Sequence, residues 1–267
     1  MTFKDKALGT WNNAPLALVL AQIRFTPFEA CQPEEYVNAY ISAIGAEYPH
    51  KTPIQQIQIG LGPNGLNEEP FGGPRILGYD LVNEATTKVV RIEPGVLTFS
   101  VTAYSQYSDF DAEWRRLLDL LGTIGEVHAS RLGMRYVDFI VPSEGNVPEN
   151  YVKSPLGVSP LEEESPIVFN LYEPFRQMGR MRIQYGRGFG PPQFPPDLQG
   201  LLAPPARLMK KYESGLSAVL DIDRWVEAPL LKSGSEIAST FTEMHDDMSA
   251  VFNQIITPFA KGEWTAL

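Results

Sequence analysis

Histidine and cysteine are scarce in this chain. Its 267 residues hold three histidines and one cysteine. A lone Cys31 excludes an intrachain disulfide and a thiolate metal cluster within one copy. It precedes a predicted helix start, a position that can lower a thiol pKa, and is otherwise read as a partly buried, inert thiol. His50, His128 and His245 are too scattered for a local metal motif. No catalytic residue, metal or cofactor is therefore expected.

Other absences narrow the field further. The longest apolar run near the N-terminus, Ala14 to Ala21, falls far short of the roughly 20 residues of a membrane span. No secretory core precedes it, so a cytoplasmic protein without membrane contact is expected. Gly60-Leu61-Gly62-Pro63-Asn64-Gly65 lacks the Lys-Ser/Thr ending of a phosphate loop. Gly186-x-Gly188-x-Gly190 runs into prolines and not into a helix, so it is no dinucleotide fingerprint. There is no Gly-x-Ser-x-Gly elbow. Basic residues are outnumbered 22 to 32, a formal charge of −10, which argues against a general nucleic-acid binder.

What is present is a globular composition, with 43% hydrophobic residues. Pro15 to Phe25 reads as a strand that starts buried on both faces and then alternates, with Ile23 and Phe25 on one side and Gln22 and Arg24 on the other. Tyr36, Val37, Tyr40, Ile41 and Ile44 predict a helix over 33–47. Ile54, Ile57 and Ile59 mark a short strand, and three more follow at about 75–83, 87–93 and 95–104. Their short connections join only antiparallel neighbours. Ser108-Asp109 predicts the cap of a long helix to about 127, with His128 at its end, followed by a strand over 131–141. The inner side of that strand is ambiguous, because both sets of alternate residues are apolar.

The 142–166 stretch reads as loop, with Glu162-Glu163-Glu164 a solvated acidic run. Segments 167–175 and 179–187 read as a hairpin, and Gly186 to Pro205 holds six prolines in twenty residues. A short helix over 205–213, a strand over 216–226 and a helix over 233–257 complete the chain. Single helices between groups of hairpin-linked strands predict an α+β fold: largely antiparallel sheet with single helices packed on its faces. One unit over 1–267 is expected, any subdivision falling between 1–141 and 165–267 at a loop-rich joint, 142–164.

Four segments together form a recognisable set: Asn13-Ala14-Pro15-Leu16, Arg131-Leu132-Gly133-Met134-Arg135-Tyr136-Val137-Asp138, Leu220-Asp221-Ile222-Asp223, and Met244-His245 with Phe252, Ile255, Ile256, Thr257 and Trp264. The set resembles a sporadically distributed bacterial and archaeal family of uncharacterised proteins, alike mainly near their two ends and around the Arg-Leu-Gly-x-Arg-Tyr strand. Met134 and Asp138 stand where that family more usually has Leu and Asn. The resemblance implies a prokaryotic protein and no particular chemistry.

Two constellations carry functional readings. Arg176, Arg180, Arg182 and Arg187 give the stretch between Pro174 and Pro196 a charge of +4 with no acid, in a chain of −10. With Phe189 and the Gly-Pro run, this predicts a non-enzymatic interaction module that contacts an acidic protein, an anionic ligand or a second copy of the chain. Alternatively, Arg131 and Arg135 flank Gly133 on one strand face, and Asp221 and Asp223 share a face of another. The two pairs either neutralise each other or line the pocket of a small-ligand receptor or enzyme, with His245 as its base. Asp221-x-Asp223 alone is too short to define a metal site. Nucleic-acid binding is a third reading, which requires a local basic groove and a steep salt dependence.

Overall fold

The computed structural model describes residues 11–26, 33–56, 60–62, 65–67, 75–153, 156, 167–174, 176, 178–213, 215–231 and 234–265. Cys31, Ile57, Ile59 and Glu162 to Glu164 lie outside them. In chain order the elements are β1 (Leu16–Phe25), α1 (Pro33–Ile44), β2 (His50–Gln56), β3 (Gly60–Gly62), β4 (Gly65–Asn67), β5 (Arg75–Val82), β6 (Lys88–Glu93), β7 (Val96–Val101), α2 (Tyr107–Ile124), β8 (Ala129–Ile140), β9 (Val168–Tyr172), β10 (Arg180–Phe189), α3 (Ala206–Met209), β11 (Leu216–Leu231), α4 (Gly234–Ile255) and α5 (Pro258–Thr265).

Nine strands form one antiparallel sheet in the order β2-β5-β6-β7-β1-β8-β11-β10-β9. The fold is therefore α+β, built from hairpins backed by helices. β8 and β11 pair along most of their length, so the sheet runs unbroken from the chain before the 142–164 stretch to the chain after it. The glycine-rich segment read as loop punctuation contains the β3–β4 hairpin.

Helices cover one face of the sheet. Phe99 of β7 stacks on Phe110 and Trp114 of α2, and Trp114 meets Phe241 of α4 edge-on. Ile237, Phe241, Met244, Met248, Val251, Phe252 and Ile255 of α4 are buried, as their spacing predicts. The helical run does not continue to 257: Ile256 leaves α4 to bridge Val152, and α5 follows, its Trp264 stacked with Trp11, Phe252 and Tyr151. On the opposite face a smaller apolar cluster joins Leu18, Val137 and Phe139 to Phe194, Leu198 and Leu208 from the proline-rich segment. The ambiguity of the β8 strand thus has a physical cause: at this end both of its faces are covered.

Three local expectations need correction. Gln106, not Ser108, precedes the first turn of α2, and Asp109 inside that turn accepts hydrogen bonds from Ser105 Oγ and Gln106 Nε2. His128 does not end the helix, which stops at Ile124; it lies 3.2 Å from Glu126 in the connection to β8. His50 opens β2 instead of lying in a loop.

Beyond the Phe194–Leu208 patch, the second face carries polar side chains. This open face holds the functional candidates.

Candidate functional site

Antiparallel register places residues from six strands side by side on the open face. Arg24 of β1 lies directly across from Arg131 of β8. Gln22 lies across from Gly133, and Thr98 of β7 is across from Gln22 on its other side. Arg91 of β6 follows Thr98 in the same row. One step along, Arg135 lies across from Asp223 of β11, which in turn lies across from Arg182 of β10. All of these residues but Arg182 floor a cleft of about 370 Å³, walled by Leu198, Gln199 and Leu201 from the segment after the prolines. An adjoining hollow of about 230 Å³ shares Arg135, Asp197 and Asp223 with it and is lined further by Arg182, Gln184, Pro195, Pro196 and Asp221.

Some of these charges are settled internally. Arg135 Nε and Nη2 donate to the two Asp221 oxygens at 2.8 and 2.7 Å, and Nη1 donates to Asp197 at 2.5 Å. Burial works against this guanidinium, but its bonds to Asp221 and Asp197 outweigh it and raise the pKa above the usual arginine value. Arg91 forks onto Asp80 at 2.7 and 2.8 Å.

Other charges are not. Arg24 and Arg131 face each other with no carboxylate within ion-pair distance among the described residues. Arg24 Nε donates only to Gln22 Oε1, at 3.3 Å. Arg131 Nε is buried without a hydrogen-bond partner, and its guanidinium rests 5.4 Å from the Trp225 ring. Burial and then the neighbouring Arg24 push the Arg131 pKa down, against partial relief from the more distant charges of Asp223 and Glu227. Glu227, its cross-strand neighbour on β11, is exposed and stays beyond contact. Like charges directly opposite on a sheet repel, although Arg24 is exposed to solvent. One row along, where Gly133 faces Gln22, the floor is bare, since a Cβ on Gly133 would come no closer than 4.0 Å to Gln22.

The predicted residues divide accordingly. Arg131, Arg135, Asp221 and Asp223 come together on the open face, with Arg135 bonded to Asp221 and not to the Asp223 that faces it. His245 is not with them. It projects from α4 on the helical face, where Nδ1 lies 2.6 Å from Tyr136 Oη and the ring stacks on Tyr107 at 3.7 Å. Burial lowers its pKa to about 4, which makes it a neutral structural partner. The five residues of the receptor-or-enzyme constellation therefore do not converge on one site.

In the +4 segment, Arg176 pairs with Asp247 at 2.9 Å, Arg182 with Glu173 at 2.7 Å, and Arg187 with Glu149. Arg180 and Phe189 point outward at the two ends of β10, Phe189 with 72% of its surface exposed. The local charge inversion is thus largely offset by acids brought from elsewhere in the chain.

Sequence reading missed Arg24, Gln22, Thr98, Arg91 and Asp197 as cleft residues. The one available signal was the switch from apolar run to Gln-x-Arg alternation late in β1. No protein-family model matches the chain, and no curated protein sequence matches it.

Proposed function

We propose that this protein binds a small anionic ligand in the open-face cleft, its anionic group held between Arg24 and Arg131 beside the bare floor at Gly133. The observation that carries this reading is the cross-strand arginine pair without a counter-ion, facing a concave space. Two arginines whose Cα atoms face each other about 5 Å apart across a ladder can offer their guanidinium forks to one carboxylate or phosphate. A cleft of about 370 Å³ suits a ligand of metabolite size. Binding without chemistry is favoured because the cleft is lined by arginine, amide, hydroxyl and acid groups, whereas His245 lies across the sheet.

Titration calorimetry with pyrophosphate tests this. The Arg24→Gln/Arg131→Gln double variant is expected to weaken binding by at least about tenfold, with an unchanged circular dichroism spectrum. Gly133→Val tests the floor independently: a Cβ at Gly133 meets no atom closer than 4.0 Å, so the fold should persist while the anion is displaced. Undiminished pyrophosphate affinity in both variants would overturn the reading.

A further inference from the structure

The cleft has a second end with the opposite charge. Asp223 lies between two arginines, directly across from Arg135 on one side and Arg182 on the other. Neither pairs with it. Arg135 is committed to Asp221 and Asp197, and Arg182 to Glu173. Asp223 accepts no hydrogen bond and enters no ion pair among the described residues, although the fields of Arg135, Arg131 and Arg182 reach it. It is half-buried and lines both the cleft and the adjoining hollow. An acid beside two arginines that both bond elsewhere is left open toward whatever fills the cleft.

The spacing is fixed by β8. Arg131 and Arg135 are four residues apart on one strand, so the row holding Asp223 lies roughly 13 Å from the row holding Arg24 and Arg131. Between the two rows the walls are mixed, with Leu20, Leu198 and Leu201 beside Gln22 and Gln199.

Resting on the anion-binding reading, we propose that the ligand is amphoteric, with an anionic group at Arg24 and Arg131 and a cationic amine at Asp223, joined by a body about 10 Å long. Asp223 is then the residue that sets specificity, because it leaves a buried carboxylate unmatched whenever the far end of the ligand lacks a donor.

The test compares 6-aminohexyl phosphate with hexyl phosphate, which share a head and a chain and differ in the terminal amine. Both are titrated calorimetrically at constant pH and ionic strength into the wild-type protein and into Asp223→Asn, which preserves shape. Wild type should bind the amine at least about tenfold more tightly, and Asp223→Asn should bring the two ligands within about twofold. Equal wild-type affinities, or a preference for the amine that survives in Asp223→Asn, would overturn the amphoteric proposal and leave anion binding standing. If neither phosphate binds, the anion-binding reading fails and takes this one with it.

Discussion

Two buried titratable side chains act on stability in opposite directions. Asp138 is 1% exposed, and neither carboxylate oxygen has a hydrogen-bond partner among the described residues. Burial, reinforced by the charge of Asp221, raises its pKa to about 8 against the partial relief of Arg207. The folded state therefore holds a proton that the unfolded chain has released above about pH 4, so stability falls as pH rises from about 4 to 8 and levels off beyond. His245 behaves inversely. With a folded pKa of about 4, it is neutral where the unfolded chain is protonated, so stability falls as pH drops from 6.5 toward 4. The two slopes oppose each other below pH 6.5, and only the Asp138 slope remains from 6.5 to 8. Asp138→Asn is expected to stabilise the protein by about 1–3 kcal/mol at pH 8 and to remove the decline between pH 6.5 and 8. Urea unfolding across that range checks it; a profile parallel to wild type would exclude the assigned protonation. Neither effect is legible in sequence, where Asp138 is one acid on an alternating strand and His245 flanks an apolar stripe.

Among the elements, α3 has only four residues yet completes the start of β1. The Pro15 carbonyl accepts from Phe139 of β8, while Ala14 and Leu16 on either side of it lie ahead of the first β7 pairing at Val19. Arg207 donates to both of their carbonyls, one from each terminal nitrogen. Arg207→Met strips both carbonyls of their donor and should cost about 1–3 kcal/mol, with faster amide exchange around Leu16 to Leu18; an unchanged unfolding midpoint would refute that role. The turn before β10 depends on Gly179, whose φ of +67° brings a would-be Cβ within 2.1 Å of the Trp225 carbonyl oxygen. Gly200 has a φ of +78° but open space around it. Gly179→Ala should therefore destabilise by about 2 kcal/mol or more, and Gly200→Ala by about 1 kcal/mol. Equal losses in thermal melts would mean that backbone conformation alone matters. Element identity was largely readable from periodicity and punctuation: α1, α2, α4 and the hairpin strands follow from spacings such as Trp114–Leu117–Leu121. The tertiary role of Arg207 was not readable, because it joins residues nearly two hundred positions apart.

At the scale of the whole molecule, the two rims of the sheet differ. β2 carries Lys51 and Pro53 on its outer edge and has a register irregularity at Ile54/Gln55, features that discourage further strand pairing. On the other rim, Ile167, Phe169 and Leu171 are 70, 66 and 50% exposed. A lysine there should discourage sticking: Phe169→Lys is expected to lower concentration-dependent light scattering while moving the melting temperature by no more than about 2 °C. Unchanged scattering would clear that rim of any part in association. No helix among the described residues is long and apolar enough to cross a membrane. The overall α+β organisation was accessible from hairpin-length connections, but the cleft was not. Its floor depends on cross-strand register between Arg24 and Arg131, which no local pattern encodes. That dispersal has a consequence of its own. The lining is drawn from β6, β7, β1, β8 and β11 and from the segment after β10, so the complete cleft requires the chain from β1 through β11. Occupancy becomes a gauge of complete folding: a bound molecule should raise the melting point of the entire sheet and depart in the same transition that dissolves it.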